Sequence, residues 1–322
     1  MLPPSHDPPL CRRPESGSRA EEGSCTRGGS RKSEQPPDAA SIVTPAPAKL
    51  NLSLAVRGRR PDGYHELESW VAQLDWGDTV RVAPAAELSL TLEGDTDGIP
   101  GGPANLAWRA AVALAEAAVL EPKAALTIEK RVPPGGGLGG GSSDAAATLR
   151  ALNRLWGLDG DAERLRPVAA AVGSDVPLFL ETGQAVLRGR GETIERLALG
   201  WQGWAVIILP AFGLSTAEVY RRWQPDPRSV RPPRPWAAAS SPAAELMPRL
   251  FNDLERPAFD LEPRLARLHA VLDGLEGRRV RMTGSGSGLF SLFDSAADAE
   301  AWREAARRIA DSSVRWKVAR VV

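Results

Sequence analysis

The sequence predicts an α+β fold, because strand-like and helix-like segments interleave along the chain without a regular βαβ repeat. In the first strand-like segment, 48–56, the side chains of Leu50, Leu52 and Leu54 alternate with polar or small ones, as in a half-buried strand. The Ala-rich run 105–120 has the composition of a helix. The rest of the chain continues this mixture of short strands and helices.

Both halves of the chain contribute short elements. In the first half we expect further strands at 67–74, 79–82, 88–92 and 124–129, and a helix at 145–156. In the second half we expect helices at 161–172, 216–223, 262–275 and 296–310, and strands at 178–180, 205–209, 280–283, 289–293 and 314–318. The stretch 224–242, which is crowded with Pro and Arg, is expected to be a loop.

The composition is that of a globular enzyme without a strong overall electric field. Of its 322 residues 43% are hydrophobic, and 40 Lys plus Arg balance 40 Asp plus Glu, so no net charge draws the chain to nucleic acid or an anionic membrane. The longest apolar runs, such as 204–210, are far shorter than the roughly 20 residues needed to span a bilayer. We therefore expect neither nucleic acid nor a membrane as partner, and the oligomeric state is left open.

The cysteines and the first residues indicate where the protein works. Cys11 and Cys25 both precede the predicted folded region, which therefore has no disulfide and no thiolate metal ligand. Residues 1–40 are rich in Pro, Ser, Gly, Arg and Glu and nearly lack large aliphatic side chains, so we expect a disordered tail. This tail has no apolar secretory core, and its acidic residues argue against a mitochondrial presequence. A cytoplasmic location is expected.

The most informative segment is the glycine-rich run 133–144, which stands between a predicted strand and a predicted helix. Glycine lets the backbone adopt positive φ and brings N–H groups close to an anion. The start of the following helix adds unpaired N–H donors and a partial positive charge. The segment therefore predicts a site for a di- or triphosphate.

Other interpretations of the glycine run fit less well. A Walker A loop needs a Lys before its Ser or Thr, and this run has none. Gly135, Gly137 and Gly140 satisfy the spacing GxGxxG, but a second helix follows where a Rossmann unit needs a strand with an acidic end. A flexible linker seldom stands between a strand and an amphipathic helix that begins with Ser-Ser-Asp.

The pattern Pro-x-x-x-Gly-Leu-Gly-x-x-Ser-Ser, 133–143, resembles the phosphate loop of the GHMP kinases, which include galactokinase, homoserine kinase and mevalonate kinase. Two further segments resemble the first and third motifs of that superfamily: Pro-Ala-Lys-Leu-Asn at 47–51 and Thr-Gly-Ser-Gly-Ser-Gly at 283–288. The resemblance implies a two-domain GHMP fold with the active site in the cleft between domains. It implies an N-terminal ATP-binding domain, 41–185, and a C-terminal domain, 186–322.

A narrower resemblance involves Pro-Asp-Gly-Tyr-His-Glu at 61–66 and Gly-Ser-Asp-Val-Pro at 173–177. Together with the other motifs, these are similar to the branch whose acceptor carries a cytidine diphosphate and belongs to the non-mevalonate isoprenoid route. The likeness covers about 45–322 and grows sparse after Trp223. It implies an ATP-dependent kinase that phosphorylates an alcohol group of a small molecule.

The resemblance also implies a catalytic pair. Asp175 matches the family's catalytic base, and Lys49 matches the cation that activates or positions the acceptor hydroxyl. Lys49 and Asn51 are predicted on one face of the same strand, and Asn51 matches a substrate-binding residue. Without the resemblance, Asp175 is better explained as a turn or helix-capping residue, and the face that carries Lys49 and Asn51 as a solvated one.

Two separate segments are expected to bind the cytosine of the acceptor. Tyr64 and His65 match the family's Tyr-His pair, in which the ring lies against the base and His supplies hydrogen bonds. Thr216 and Tyr220 match the segment whose aromatic residue closes the other side of the base. In this interpretation the rings of Tyr64 and Tyr220 sandwich the cytosine.

The remaining implied positions bind ATP and Mg²⁺. Asn105 and Lys130 match residues of the adenine pocket, although each could simply be a helix start or a strand end. Ser143 is also the implied protein ligand of Mg²⁺, which neutralises the transferred phosphate. The phosphates are expected to lie against Pro133, Pro134, Gly135, Gly136, Gly137, Leu138, Gly139, Gly140, Gly141, Ser142 and Ser143.

Two alternative functions remain open from the sequence. The first is another GHMP kinase that acts on homoserine, mevalonate or a sugar, and an intact Tyr64-His65 pair argues against it. The second is a catalytically silent protein that binds nucleotide, which has little need of both Lys49 and Asp175.

Deletion of residues 1–40 is expected to leave kinase activity and melting temperature nearly unchanged, because the segment lacks core-forming side chains. The measurement compares the full chain with the truncated chain by thermal unfolding and by a coupled kinase assay. A large loss of either property would show that the segment is part of the folded protein.

Overall fold

The computed structural model describes residues 41–158, 160–198, 200–226 and 234–322. The predicted tail and the segment 227–233 of the predicted loop lie outside the described residues. The described chain mixes helices and strands, as predicted, without a regular βαβ repeat. Within the described residues, no helix is both long and apolar enough to cross a membrane.

Among its described residues, the first half contains six strands and three α-helices. They are β1 Ile42–Arg59, β2 His65–Ala83, β3 Ser89–Gly94, α1 Leu106–Ala118, β4 Ala125–Lys130, α2 Gly140–Leu155, α3 Ala162–Val172, β5 Ala185–Gly189 and β6 Thr193–Arg196. The predicted strands 67–74 and 79–82 are parts of one long strand, β2. The predicted strand 178–180 is wrong, since Val176–Leu180 forms a 3₁₀ turn.

The second half contains four strands and five helices within the described residues. They are β7 Gly203–Leu209, α4 Thr216–Arg222, α5 Ala243–Leu246, α6 Glu255–Leu261, α7 Pro263–Leu272, β8 Arg281–Met282, β9 Leu289–Phe293, α8 Ala296–Arg307 and β10 Arg315–Val321. Helices α5 and α6 and strands β5 and β6 were not predicted. The described part of the predicted loop contains a 3₁₀ turn, Pro235–Ala238.

The strands form one hydrogen-bonded network with β2 at its centre. Strand order is β3-β4-β2-β10-β7-β9-β8, with β1 and β5 also paired to β2 and β6 paired to β5. All pairs are antiparallel except β3 with β4. Because the β5–β6 hairpin joins β2, it belongs with the strands of the first half. The domain boundary between residues 185 and 186 stays a prediction.

Strand β1 is buried on both faces from Ala48 to Val56, so the half-buried strand predicted there is wrong. Its irregular pairing with β2 includes register shifts around Lys49 and between Asn51 and Ser53. Its polar face is covered by two loops from elsewhere: the N–H of Lys49 donates to the Leu138 carbonyl (2.9 Å), and the N–H of Asn51 donates to Thr283 Oγ1 (2.9 Å). Polar side chains are therefore enclosed at the middle of this strand.

Three apolar cores surround the strands. One packs β2 and β4 against α1, α2 and α3. A second joins β1 and β2 to β7, β9, β10 and α5, so that it links the two halves of the chain. The third packs β7 and β9 against α4, α6, α7 and α8. The glycine run, 133–144, connects the first two cores: Val132 and Leu138 belong to the second core, and the α2 residues from Ala145 onward belong to the first.

A buried ion cluster joins the sheet to α2. The ammonium of Lys130, at the end of β4, contacts carboxylate oxygens of Asp78 on β2 and of Asp144 on α2, the latter at 2.5 Å. The other oxygen of Asp78 accepts hydrogen bonds from the N–H groups of Arg131 (2.6 Å) and Val132 (2.8 Å). This cluster therefore fixes the point where the chain leaves β4 toward the glycine run.

Replacement of Asp78 by Ala is expected to lower the free energy of unfolding by about 3–5 kcal/mol, because it leaves a buried ammonium and two buried N–H groups without their acceptor. The matched control is Asp95→Ala, which removes an exposed ion pair with Arg315 (2.6 Å). That variant is expected to lose less than about 1 kcal/mol. Urea unfolding measures the free energy of unfolding of both variants. Equal decreases in the two variants would contradict a structural role for the buried ion cluster.

Candidate active site

A cavity of about 1180 Å³ opens between the glycine run, β1 and α4, and it is lined by residues from both halves of the chain. It brings together nearly every residue predicted for the site. Lys49, Asn51, Tyr64, His65, Asn105, Lys130, Asp175, Thr216, Tyr220, Pro133, Pro134, Gly135, Gly136, Gly137, Leu138, Gly139, Gly140, Gly141 and Ser142 all line it. Ser143 is the exception, since it is fully buried and is not among the lining residues.

The glycine run forms one wall of the cavity. Its carbonyl groups accept hydrogen bonds from the 283–288 segment, from Ser287 N–H to Gly135 (3.0 Å) and from Gly288 N–H to Gly136 (3.2 Å). At Gly137, φ is +73° and an added Cβ would lie 2.3 Å from the carbonyl oxygen of Thr283, so only glycine fits. The predicted first and third motifs and the glycine run thus meet at one point.

Helix α2 begins at the end of this wall. Its N-cap, Gly139, has no side chain to accept from the first N–H groups of the helix. A helix N-terminus of this kind presents unpaired donors and a partial positive charge. The wall can therefore hold an anionic group such as a phosphate.

The ammonium of Lys49 lies at the centre of the site, with the side chain only 5% exposed. It donates to Asn51 Oδ1. The amide of Asn51 is held in turn, because its Nδ2 donates to Ser69 Oγ (2.8 Å), which donates to the Ser53 carbonyl (2.6 Å). Burial lowers the pKa of Lys49, and the negative charge of Asp175 partly opposes this shift.

Asp175 faces the cavity from the start of the 3₁₀ turn Val176–Leu180. Its carboxylate makes no capping hydrogen bond there, so the capping explanation does not account for this residue. A Cβ built on Gly191 would lie 3.7 Å from Asp175 Oδ1. The carboxylate also raises the pKa of Tyr220, in addition to the larger effect of burial.

His65 and Tyr220, which are predicted to bind the acceptor substrate, contact each other in the cavity. The His65 ring lies 5.1 Å from the Tyr220 ring and 5.7 Å from the Trp223 ring, between centroids. Its Nε2 is buried and has no hydrogen-bond partner in the described part of the chain. Burial, with a smaller contribution from Arg59, lowers the pKa of His65, which favours a neutral imidazole at pH 7.

The two tyrosines have different surroundings. Tyr64 is 55% exposed, and its ring has the guanidinium of Arg190 at 4.9 Å from its centroid. Tyr220 is covered by His65, and among the described rings these two tyrosines are not in contact. Thr216, one turn before Tyr220, places Oγ1 2.8 Å from Ser285 Oγ and so links α4 to the 283–288 segment.

Asn105 and Lys130 also line the cavity, but their polar side-chain atoms already form hydrogen bonds or ion pairs within the protein. Asn105 caps α1, since its Oδ1 accepts from Ala107 N–H (2.9 Å), and its Nδ2 donates to the Pro100 carbonyl (2.8 Å). Lys130 ends β4 in the buried ion cluster. Burial opposes a rise in the pKa of Lys130, yet Asp144 and Asp78 raise it. The helix-start and strand-end explanations are both confirmed, alongside a position at the cavity wall.

Ser143 and Asp144 carry oxygens without partners. Ser143 Oγ and Asp144 Oδ1 are buried and form no hydrogen bond with described residues. Burial, reinforced by Asp78 and opposed by Lys130, raises the pKa of Asp144 to about 7. Asp144 lines the cavity and was not predicted as a site residue, although it directly follows the predicted Ser-Ser pair.

Comparison with known families identifies the arrangement. The family model of the GHMP kinases N terminal domain matches residues 105–183, and that of the GHMP kinases C terminal domain matches residues 237–311. This chain belongs to the GHMP kinases. The family and the α+β fold predicted from the motifs are confirmed.

Individual relatives show which branch of the GHMP kinases this chain resembles. The 4-diphosphocytidyl-2-C-methyl-D-erythritol kinase of Granulibacter bethesdensis is 41% identical over 257 residues, 77% of this chain and 84% of that protein. The enzyme of the same name from Bacillus subtilis is 36% identical over 257 residues, 78% of this chain and 88% of that protein. The predicted branch of the GHMP kinases is confirmed by these relatives.

Solved structures agree with this assignment. A crystal structure of 4-(cytidine 5'-diphospho)-2C-methyl-D-erythritol kinase is 37% identical, with a TM-score of 0.71 over 87% of this chain and 99% of that one. Homoserine kinase from Cytophaga hutchinsonii is 18% identical, with a TM-score of 0.62 over 88% of this chain and 94% of that one. At the latter identity the likeness shows a common fold only.

Proposed function

We propose that this GHMP kinase transfers the γ-phosphoryl group of ATP to the 2-hydroxyl of 4-diphosphocytidyl-2-C-methyl-D-erythritol, a step of the non-mevalonate isoprenoid route. One observation carries the proposal: a single cavity is lined by a glycine-rich anion wall, by Lys49 with Asp175, and by the aromatic cluster of Tyr64, His65 and Tyr220. The relatives of the same name support this acceptor. We also propose a cytoplasmic location, since both cysteines precede the folded region.

In this proposal the reaction uses two of the chain's own groups at the transferred phosphate. The acceptor oxygen attacks the γ-phosphorus, the bond to the β–γ bridging oxygen breaks, and the hydroxyl proton passes to the Asp175 carboxylate. Lys49, oriented by Asn51, holds positive charge near the attacking oxygen. The cavity wall formed by residues 133–142 binds the nucleotide phosphates and keeps them in line with the attacking oxygen.

The residues present fit a magnesium ion that ATP brings with it. Within the described residues no cluster of three or more His, Cys, Asp or Glu could hold a metal alone. Mg²⁺ commonly uses only one or two protein oxygens together with phosphate oxygens and water. The oxygen we propose for this role is the unpartnered Asp144 Oδ1, at the cavity wall. The predicted ligand Ser143 also has an unpartnered Oγ, but this residue does not line the cavity. When bound, the ion neutralises charge on the transferred phosphate.

A third group of residues gives the acceptor its specificity. We propose that the aromatic cluster binds cytosine, with the neutral His65 supplying hydrogen bonds to the base edge through its unpartnered Nε2. The His65 ring lies against the Tyr220 ring, with 5.1 Å between their centroids. A base between Tyr64 and Tyr220 therefore requires the His65 ring to move aside or to remain at the edge of the base.

The function is tested by supplying ATP and Mg²⁺ with a panel of alcohols: 4-diphosphocytidyl-2-C-methyl-D-erythritol, methylerythritol, homoserine, mevalonate and galactose. Phosphorylation of the cytidine-linked acceptor alone, at its 2-hydroxyl, is the expected result. Turnover of another alcohol in preference to it would replace the proposed acceptor. Nucleotide binding without turnover of any alcohol would favour a silent binding protein.

Asp175→Asn is expected to keep ATP binding and lower kcat by about 10²- to 10⁴-fold, because the amide preserves shape and removes the proton acceptor. The matched control is Glu181→Gln, at the other end of the same 3₁₀ turn, whose carboxylate pairs with Arg166 (3.4 Å) and Arg196 (3.5 Å) outside the cavity. That variant is expected to keep near-normal kcat. The measurement is kcat of both variants from steady-state kinetics at saturating substrates. A near-normal kcat of Asp175→Asn would show that Asp175 is not the catalytic base.

Tyr64→Ala and Tyr220→Ala are expected to raise KM for the cytidine acceptor roughly ten- to a hundredfold, with KM for ATP almost unchanged, because each loses one stacking surface for the base. Tyr220→Phe keeps the ring and serves as the control, with KM expected near the wild-type value. If KM for ATP rises and that of the acceptor does not, the aromatic cluster belongs to the nucleotide site.

A further inference from the structure

Several arginines of the cavity take part in no step described above, and Arg190 is the one nearest to both Tyr64 and Asp175. Arg190 follows β5, in the turn that leads to β6, and its guanidinium carbon lies 4.9 Å from the centre of the Tyr64 ring. The next residue, Gly191, approaches Asp175: a Cβ built there would lie 3.7 Å from Asp175 Oδ1. The turn therefore stands beside both the aromatic cluster and the carboxylate.

Unlike Arg188 and Arg60, Arg190 forms no ion pair with a carboxylate of the described residues. Its positive charge does act on Asp62, whose carboxylate is ion-paired with Arg60 (3.3 Å). Arg188, two residues earlier, is neutralised by Glu68 (3.2 Å) and Glu195 (2.6 Å) and does not line the cavity. Arg60, which lines the cavity, is neutralised by Asp62 and Glu66. An exposed Arg at a cavity wall, without an ion pair, keeps all its N–H donors for a ligand.

We propose that Arg190 binds the diphosphate of the cytidine-linked acceptor and so sets the distance between the base and the reacting hydroxyl. The inference rests on the function proposed above. In that acceptor the diphosphate joins cytidine to methylerythritol. If the base lies at Tyr64 and the hydroxyl at Asp175, the diphosphate must lie between them, where the β5–β6 turn stands.

The chemistry of the guanidinium suits this role. Its planar donors match two oxygens of a phosphate at once, and charge-assisted hydrogen bonds of this kind are stronger than neutral ones. The same cation also contacts the face of Tyr64, which supports the orientation of both groups. More than half of Tyr64 is exposed, so the ring retains surface for the base.

The competing candidate is Arg221, which lines the cavity from α4 and likewise has no ion pair with a described carboxylate. It directly follows Tyr220, and its backbone carbonyl accepts a hydrogen bond from Arg59 (3.2 Å). Nothing in the described contacts brings it to Asp175. Arg190 is therefore the better candidate for a group that connects the aromatic cluster to the carboxylate.

The test measures equilibrium binding of CDP and of cytidine by calorimetry to the wild-type chain and to Arg190→Ala, Arg190→Lys, Arg188→Gln and Arg221→Ala. Arg190→Ala is expected to weaken CDP binding about tenfold or more, with less than about a threefold change for cytidine. The affinity of Arg190→Lys for CDP should lie between those of the wild-type chain and Arg190→Ala, because lysine keeps the charge and loses the planar donors. Arg188→Gln, which removes the same charge two residues away, should bind both ligands normally.

The outcomes separate this inference from the proposed function. If the wild-type chain phosphorylates the cytidine acceptor but binds CDP no better than cytidine, the function stands and the inference fails. Equal losses for CDP and cytidine in Arg190→Ala would mean that Arg190 acts only by positioning Tyr64, which overturns the diphosphate role. Loss of CDP binding in Arg221→Ala alone would assign the diphosphate to α4. In kinetics, Arg190→Ala should raise KM for the acceptor about tenfold and leave KM for ATP unchanged.

Discussion

The burial of one ammonium group, that of Lys49, is the constraint on which the rest of the site depends. A charge with only 5% of its side chain exposed is costly unless other groups compensate it. Here the compensation comes from Asn51 Oδ1 and from the field of Asp175. Asn51 and Asp175 must themselves be held in position, and the contacts that hold them come from distant parts of the sequence.

Two connections carry this support. The first runs through β1, where the backbone N–H groups of Lys49 and Asn51 reach the glycine run and the 283–288 segment. The second is the ion cluster of Asp78, Lys130 and Asp144, which fixes the chain on either side of the glycine run. Both halves of the chain therefore have to fold before the cavity exists. Such a dependence explains why polar residues can be retained inside an otherwise apolar interior.

The sequence predicted the parts of the site that have local signals. Alternation along β1 placed Lys49 and Asn51 on one face, and their hydrogen bond confirms it. The glycine run predicted a strand, loop and helix in the correct order, because glycine spacing reports backbone geometry directly. Asp175 has no such signal, because only its motif indicates a site. The apolar run after it, which is predicted to be a strand, is a 3₁₀ turn.

The features that the sequence missed depend on contacts between distant segments. The burial of both faces of β1 results from loops more than eighty residues away, which alternation cannot reveal. Helix α6 and the β5–β6 hairpin are short and carry many charges, so neither shows an apolar period. Arg190 has no motif, and its closeness to Tyr64 and Asp175 exists only in the folded chain. The roles of individual site residues stay predictions.

The most direct test of the account is the pKa of the Lys49 ammonium, measured by NMR of ¹⁵N-labelled lysine in the wild-type chain and in Asp175→Asn. The account predicts a wild-type pKa below the ordinary value of 10.5, because burial disfavours the charge. It also predicts a further decrease in Asp175→Asn, because that variant lacks the negative charge that raises the Lys49 pKa. A Lys49 pKa at its ordinary value, or one that does not change on substitution of Asp175, would contradict a shared site for these two groups.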